Sequence, residues 1–439
     1  MLMPRTVPTA PGNLPLLGHS LSLLGEDRLG YLVSLQPHGD VVRLRIGTRS
    51  FLVLNSPELV RSMLLEPKNF DRGRIFEKAR PYVGDGLFTA EGAEHNRQRR
   101  MVQPAFHRAE IARYVEMIGD IARQHVASWR PGDTLNVERE IHVLMTEVIG
   151  GTMFRAPEAR EVVRVARDQL PTLVQGLGAR TVLPDFFTRI PVGVNRRFDA
   201  ACDNLHNAAQ RLVAAYRDKH GDLGDFVSSL MNAQDARTGA TMSDAEIRDQ
   251  VMTLLISGIE TPATSLVWAL YELGVNADLR RRMEEEVDAA GGDQERMPFI
   301  DAFVQETLRL HHPLWLLMRR AVRPTILGGV DITAGSEVIY SPAAMHRNGK
   351  IFTEPLRFNP DRWLGDAATE EMQRAFIPFS LGNRQCIGDH FAWTQMKITL
   401  AAIVADRRLT LSARYRPRTV VSSIVHLDRL PMTVHLRNG

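Results

Sequence analysis

One cysteine, Cys386, stands among residue types that favour its thiolate. Phe379 and Arg384 precede it, Gly388 follows it, and a helical pattern begins at Asp389. Backbone N–H groups at a helix N-terminus stabilise a nearby thiolate, and glycine lets other backbone come close. Such a thiolate serves as a nucleophile, a metal ligand or a ligand to haem iron. The plain alternative is a small apolar core residue in a loop punctuated by glycine.

Other residues bear on these uses. The chain has two cysteines, Cys202 and Cys386. Structural zinc needs several ligands, and a cysteine nucleophile needs a base, which no nearby His supplies by spacing. Haem needs one axial thiolate and cations for its propionates, and Arg384 is such a cation. A haem ligand, a core cysteine and the nucleophile of a non-haem hydrolase therefore remain as interpretations.

The segment from Phe379 to Gly388 resembles the haem-binding loop of the cytochrome P-450 family. It reads FSLGNRQCIG and fills every fixed position of the family pattern F-x-x-G-x-R-x-C-x-G. The resemblance implies that Cys386 ligates the iron of haem b. It also implies that Phe379, Arg384 and Gly388 belong to the cofactor site.

A long helix is predicted upstream of this loop. Ser243 and Glu246 form a capping-box pattern, and helical periodicity continues to about Asn276. Pro262 lies in its middle and lacks the N–H that would bond the carbonyl of Gly258, so the helix is expected to open or kink there. We expect a small polar notch at this point.

The sequence at this notch, SGIETP over residues 257–262, resembles the family's oxygen-activation motif, [AG]-G-x-[DE]-T-[TS]. Gly258, Glu260 and Thr261 match it, while Ser257 and Pro262 depart from it. The resemblance implies that these three matching residues are catalytic and that Glu260, Thr261 and bound water deliver protons. The alternative is a structural kink in which the threonine hydroxyl bonds a backbone carbonyl.

Cations that suit haem propionates occur at two further places. His95 and Arg99 are four residues apart and share one helix face. Taken alone, this face equally suits a solvated basic helix or a nucleic-acid patch. The resemblance implies that His95 and Arg99 hold one propionate and that Arg319 holds the other.

The spacing E-x-x-R recurs in this sequence, so by itself it is not specific. The pair Glu306 and Arg309 is singled out because it lies between the long helix and the cysteine loop. With Asn359-Pro-Asp-Arg362-Trp363, it resembles the family's Glu–Arg–Arg network behind the haem. Most such pairs are surface pairs of little energetic value. A buried network is expected here.

The elements around these motifs are predicted from periodicity and turn residues. Residues 41–46 and 51–54 form a hairpin, and Ser56-Pro57 begins a helix. A long loop is expected over 70–90, and 327–332 is expected to pair with 337–341. The resemblance implies that an irregular apolar stretch over 170–191 is the lid of the substrate pocket, with Leu170, Leu173, Val174, Leu177, Phe186 and Phe187; the alternative for each of these residues is ordinary core. A loop that touches substrate is expected over 422–426.

Length, charge and composition limit the possible partners, location and domain organisation of the chain. The chain has 439 residues and a net charge of +3, which by itself indicates no nucleic-acid partner. Two cysteines fit a reducing cytosol, and we expect no membrane span and a cytoplasmic location. One domain over 1–439 is predicted, mainly α with small β-sheets (α+β). The resemblance implies the triangular cytochrome P-450 fold, with β-rich parts at roughly 25–70 and 315–345.

The resemblance implies a haem-thiolate monooxygenase of the soluble bacterial type. It would hydroxylate an unactivated C–H bond of an apolar secondary metabolite, since residues 315–321 and 360–363 resemble actinobacterial terpene oxidases. Electrons would come from a ferredoxin and a ferredoxin reductase, with O2 as co-substrate. The basic residues Arg97, Arg100, His107 and Arg108 are expected to attract this acidic donor. Two alternatives are oxidative cyclisation or coupling (C–N or C–C bond formation) of a peptide-derived or indole alkaloid, and a non-catalytic haem-thiolate binding protein.

Overall fold

Helices dominate the fold, as predicted from the sequence. The structure is a computed structural model, and it describes residues 6–182, 190, 192–293 and 296–437. The α-helices are α1 (Ser20–Leu24), α2 (Arg28–Ser34), α3 (Pro57–Leu64), α4 (Arg74–Val83), α5 (Gly92–Val102), α6 (Arg108–Ala127), α7 (Val137–Met153), α8 (Ala159–Val182), α9 (Gly193–Ala215), α10 (Phe226–Asn232), α11 (Asp244–Val275), α12 (Ala277–Ala290), α13 (Pro298–Leu310), α14 (Pro342–Met345), α15 (Glu370–Ala375) and α16 (Asp389–Asp406).

The strands are short and form small sheets. They are β1 (Val41–Ile46), β2 (Arg49–Leu54), β3 (Phe70–Arg72), β4 (Thr134–Asn136), β5 (Leu317–Ala321), β6 (Thr325–Leu327), β7 (Val330–Ile332), β8 (Glu337–Tyr340), β9 (Arg407–Leu411), β10 (Thr419–Val421), β11 (Val425–Leu427) and β12 (Pro431–Leu436). The predicted β1–β2 hairpin and the helix after Ser56 are confirmed.

Two compact units make up the described chain. The first joins the residues up to Lys78 with Gln305–Cys386, and the second joins Ala79–Val304 with the residues from Ile387 onward. Cys386 therefore belongs to the first unit, while Glu260 and Thr261 belong to the second. The prediction of one domain over 1–439 stays a prediction.

The first unit contains a five-stranded sheet in the order β1-β2-β8-β5-β3. Strand β8 pairs in parallel with β2 and antiparallel with β5. The predicted pairing of 327–332 with 337–341 is therefore wrong. Strand β7 instead pairs with β6 across Gly328-Gly329, whose φ angles of 61° and 77° allow a tight two-residue turn.

The predicted loop over 70–90 is wrong for most of its length. Strand β3 pairs antiparallel with β5, and α4 follows directly. The short strand has no periodicity of its own, and its partner lies about 250 residues away in the sequence. Helix α4 contains Pro81 near its end, which weakened the helical signal.

Helix α11 is the central helix of the second unit. It has 32 residues, and its capping box at Ser243 is formed as predicted. The helical conformation continues through Pro262 without a break. By length and composition α11 alone among the described helices would suit a membrane span, but 72% of its apolar window is buried inside the protein, as in the core helix of a folded domain.

The segment predicted as an irregular lid is helical over 170–182. Helix α8 runs through Pro171, and Leu170, Leu173 and Val174 are buried. Gly176 lets the Phe198 ring of α9 pack directly on the α8 backbone, because a Cβ there would overlap the ring. The stabilisation from this packing outweighs the cost of Pro171 inside the helix. Phe186 and Phe187 lie outside the described residues.

Two further elements differ from the predictions. Helix α12 was not predicted; it begins directly after α11, where Asn276 ends α11 and caps α12 through Leu279 N–H. The segment 422–426, predicted as a loop, is the turn and second strand of the β10–β11 hairpin. The Ser423 hydroxyl donates to the Val174 carbonyl of α8 at 2.6 Å, so the hairpin contacts the segment predicted as the lid.

Candidate functional site

The cysteine loop is closed by its own backbone. The N–H of Cys386 donates to the carbonyl of Phe379 at 2.9 Å, and the thiol is exposed. Gly382 has φ 71°, and a Cβ there would overlap the carbonyl oxygen of Leu64. Ser380 also has a positive φ, 60°, which is uncommon for a residue with a side chain and marks a constrained loop.

Two buried imidazoles fix the segment that leads into this loop. His312 Nε2 donates to the Pro378 carbonyl at 3.1 Å, and its Nδ1 accepts from Leu314 N–H at 3.0 Å. His346 Nε2 accepts from Ile377 N–H at 3.2 Å. Burial lowers the pKa of His312 to about 4, so the ring is neutral, as its hydrogen bonds require.

Three guanidinium groups lie close together in the first unit. Arg319 and Arg384 are buried, and both repel the charge of Arg72. Burial, followed by these two neighbours, lowers the pKa of Arg72 well below its usual value, while Asp71, ion-paired with Arg384, offsets part of the repulsion. Such a cluster of cations is stabilised by an anion, and the carboxylate of a haem propionate fits it by charge.

The network around Glu306 is formed and is larger than predicted. Glu306 and Arg309 are fully buried and make two bonds of 2.8 Å. Arg362 Nε donates to Glu306 Oε1 at 3.1 Å, and Trp363 Nε1 donates to Oε2 at 2.9 Å. The indole N–H of Trp363 thus gives Glu306 Oε2 a hydrogen bond. A phenylalanine at this position has no N–H and could not form it.

In the second unit, α5 is joined to α11 by side-chain amides. Gln250 donates to Gln98 Oε1 at 2.8 Å, and Gln98 donates to the Asp85 carbonyl at 2.8 Å. These bonds orient α5, on which His95 is buried and Arg99 is half-buried. The two predicted propionate ligands therefore lie one turn apart on a helix of fixed orientation.

The hydroxyl of Thr261 bonds its own helix. It donates to the Ser257 carbonyl at 2.9 Å, the arrangement that the structural alternative predicted. Gly258 faces α7, where a Cβ would lie 3.0 Å from Ile149 Cδ1. Gly258 therefore permits close helix packing instead of enlarging the notch. Because Pro262 has no N–H, the Gly258 carbonyl loses its usual helical donor.

The carboxylate of Glu260 is turned toward α7. Glu260 Oε2 lies 3.4 Å from His142 Nε2, and His142 Nδ1 donates to the Glu138 carbonyl at 2.8 Å. Burial favours the neutral imidazole, but Glu260 and Glu138 outweigh it and raise the pKa of His142 to about 9. His142 is therefore an imidazolium at neutral pH, and within the described residues Glu260 forms no hydrogen bond with Thr261.

Sequence reasoning missed Arg72 and His142. Glu138 and His142 are four residues apart, so their shared helix face was a visible signal. Their link to Glu260 depends on the packing of α7 against α11. Arg72 has no local signal, because its neighbours Arg319 and Arg384 come from distant parts of the chain.

Two arginines predicted to attract an acidic electron donor have partners within the chain. Arg97 pairs with Glu94 at 2.7 Å and also with Glu246. Arg100 pairs with the buried carboxylate of Asp235 at 2.9 Å. These two charges are therefore partly offset, whereas His107 and Arg108 are exposed.

The chain is similar to known proteins over nearly its whole length. The family model described as Cytochrome P450 matches residues 8–426. The chain is 37% identical over 415 residues to cyclooctat-9-en-7-ol 5-monooxygenase of Streptomyces melanosporofaciens, covering 92% of this chain and 90% of that protein. It is 31% identical over 439 residues to pentalenene oxygenase of Streptomyces avermitilis, covering 98% and 97%. Its fold matches the crystal structure of the cytochrome P450DA haem domain, with a TM-score of 0.87, 24% identity and 98% of both chains covered.

Proposed function

Because the chain belongs to the cytochrome P450 family and is a haem-thiolate monooxygenase, we propose that it hydroxylates an unactivated C–H bond of a terpenoid. The two alternatives, a non-catalytic haem-thiolate binding protein and a non-haem cysteine hydrolase, do not agree with this membership. The observation that carries the proposal is the constrained, exposed Cys386 loop in the same unit as a cluster of buried guanidiniums.

Each predicted site residue has a proposed role toward the haem. Cys386 ligates the iron, Phe379 and Gly388 flank the thiolate, and Arg319 and Arg384 hold propionate oxygens. The haem, with a thiolate ligand, supplies activation of O2 for insertion of one oxygen atom. The role of the protein residues is to bind, orient and exclude water.

The second unit supplies the remaining roles. We assign one propionate contact to His95 and Arg99, which suit a carboxylate by charge. Thr261 orients water through its hydroxyl, and Glu260 supplies a proton to that water. Gly258, predicted as catalytic, acts in this proposal by letting α11 approach α7.

The substrate class rests on the two named relatives, one of which acts on cyclooctat-9-en-7-ol and the other on pentalenene. Both names describe apolar carbon skeletons. An apolar substrate agrees with the apolar composition of this part of α8, where the Val174 carbonyl accepts from the Ser423 hydroxyl of the β10–β11 turn. Oxidative cyclisation of a peptide-derived or indole alkaloid remains the alternative, which the products of the test below distinguish.

Electrons come from a separate redox partner, for which we propose a ferredoxin with its reductase. Exposed His107 and Arg108 at the start of α6 are the proposed contacts of an acidic donor, because Arg97 and Arg100 have carboxylate partners. We also propose a cytoplasmic location, which two cysteines without a disulfide fit.

The test is a titration of the holoenzyme with cyclooctat-9-en-7-ol, pentalenene and a set of indole alkaloids. Binding is monitored as the low-to-high-spin shift of the haem absorption spectrum. Turnover with ferredoxin, reductase and NADPH then identifies products. We expect a shift and a hydroxylated product with a terpenoid. A shift and a ring-closed product from the alkaloids alone would contradict the proposal.

A further inference from the structure

Glu260 has an unusual set of neighbours for a residue in a proton path. Its ion-pair partner among the described residues is His142, which contacts Glu138 on the same face of α7. The side chains become less exposed toward α11: 23% for Glu138, 18% for His142 and 9% for Glu260. These three groups form a titratable row that connects Glu260 with the outside of α7.

We propose that His142 is a positioning residue and proton store for Glu260: its imidazolium orients the carboxylate and supplies the proton that Glu260 passes toward Thr261. The inference rests on the proposed role of Glu260 in proton delivery. It adds a residue outside the oxygen-activation motif and assigns it a defined protonation state.

The hydrogen bonds of the ring determine which nitrogen acts. Nδ1–H donates to the Glu138 carbonyl at 2.8 Å, which fixes the ring plane and leaves Nε2 directed at Glu260 Oε2, 3.4 Å away. The labile proton is therefore the one on Nε2. Its transfer breaks an N–H bond, forms an O–H bond on Glu260 and turns the ion pair into a neutral pair, after which a proton from solvent restores the imidazolium.

Charges on the neighbouring elements support a protonated ring. Glu138 on α7 and Glu260 on α11 both stabilise the imidazolium. On the β11 side, His426 and Asp428 act on Glu138 with opposite signs. Burial raises the pKa of Glu138, and the positive charge of His142 opposes that rise. The ring therefore holds its proton at neutral pH.

The first measurement needs no substrate. In the diamagnetic ferrous–CO holoenzyme with 13C-labelled histidine, we expect one resonance to titrate near pH 9 and to vanish in His142→Gln. Its pKa should fall in Glu138→Gln, because one of two stabilising carboxylates is gone, and fall further in Glu260→Gln. If every histidine titrates below pH 7, or if Glu260→Gln leaves the high pKa in place, the proposal is overturned. These two glutamate variants keep the measurement decisive even if His142→Gln does not fold.

The second measurement is the pH profile of NADPH-driven O2 consumption at saturating ferredoxin and reductase, without added substrate. We expect the wild-type rate to fall on the alkaline side with a midpoint near pH 9, as the stored proton is lost. His142→Gln should lower the rate roughly tenfold at neutral pH and remove this alkaline limb. Glu138→Gln should move the limb toward lower pH.

The matched control is His125→Gln. His125 lies on α6 and pairs with Glu147 and Glu140 at 2.9 and 3.5 Å, on the opposite face of α7 from Glu138 and His142. Its removal should leave the alkaline limb unchanged. An alkaline limb that persists at its wild-type midpoint in His142→Gln would show that the ring is merely structural. Because neither readout requires a terpenoid, a failed substrate assignment leaves this inference testable.

Discussion

The two cysteines differ in burial, which bears on whether each thiol can lose its proton and ligate iron. Cys386 is exposed in its closed loop, whereas burial raises the pKa of Cys202 to about 12. A buried thiol with so high a pKa stays protonated and does not ligate iron at neutral pH. Burial therefore distinguishes the two residues, and it leaves Cys386 as the candidate ligand.

Replacing each cysteine by alanine tests this difference. In Cys386→Ala we expect the thiolate-specific Soret band of the reduced CO complex to be lost, because the axial ligand is gone. Cys202→Ala is the matched control and should keep the band, with stability lowered by about 1 kcal/mol for the lost packing. A retained band in Cys386→Ala would refute the ligand assignment.

A second residue-scale prediction concerns the Thr261 hydroxyl. Its bond to the Ser257 carbonyl at 2.9 Å leaves the oxygen lone pairs available to a water molecule. Thr261→Ala should therefore uncouple O2 consumption from product and raise H2O2 release severalfold. Thr261→Ser keeps the hydroxyl and should remain coupled; equal coupling in both variants would remove Thr261 from the proton path.

At the scale of elements, α13 and the segment 359–363 are held together by one buried carboxylate. Glu306 accepts from Arg309, Arg362 and Trp363, so loss of its charge leaves guanidinium groups buried without their partner. This network belongs to the same unit as the cysteine loop. Its integrity should therefore affect stability more than any surface pair.

Denaturant unfolding can measure this effect. Glu306→Gln should lower the free energy of unfolding by about 3–5 kcal/mol, and Trp363→Phe by about 1–2 kcal/mol for one lost hydrogen bond to a charged group. Glu354→Gln is the control, because its pair with Arg357 is 61% and 67% exposed. It should change stability by less than about 1 kcal/mol. Equal losses in Glu306→Gln and Glu354→Gln would contradict the network.

The cysteine loop offers a second test at this scale. Gly382→Ala introduces a Cβ into the Leu64 carbonyl at φ 71°, so we expect reduced haem content together with lower thermal stability. Gly365 has φ 54° and open space around it. Gly365→Ala should therefore cost only about 1 kcal/mol of backbone strain and keep full haem content. Normal haem loading in Gly382→Ala would show that the loop adapts.

For the whole molecule, two histidines make stability depend on pH in opposite directions. The folded-state pKa of His142 is raised to about 9, so its contribution is present below the unfolded value of 6.5 and is lost as the pH rises through 9. The folded-state pKa of His312 is lowered to about 4, so as the pH falls the unfolded state takes up this proton before the folded state does. Stability therefore falls as the pH falls from 6.5 to 4. These two contributions are jointly greatest near pH 6.5.

Unfolding free energies at several pH values check this expectation. His142→Gln should flatten the alkaline side and leave the acid side unchanged. His312→Gln, which keeps a donor for the Pro378 carbonyl, should make the acid side less steep, while His346, whose pKa is also lowered by burial, keeps part of that slope. A wild-type curve whose alkaline side is unaffected by His142→Gln would contradict the raised pKa.

The sequence by itself determined those features that depend only on residues close together in the chain. The Phe379–Gly388 pattern, the capping box at Ser243, the β1–β2 hairpin and the Glu306-x-x-Arg309 pair are all local, and the structure contains each of these elements. The pattern also indicated the haem family, which the comparisons established.

The tertiary structure decided which distant groups meet. Strand β8 joined β2 and β5 instead of 327–332, and Arg72 came to lie near Arg319 and Arg384. Helix packing turned the Glu260 carboxylate toward His142. The physical reason is that hydrogen-bond and charge partners are chosen by the packing of whole elements, whereas sequence spacing shows only which residues share a face of one element.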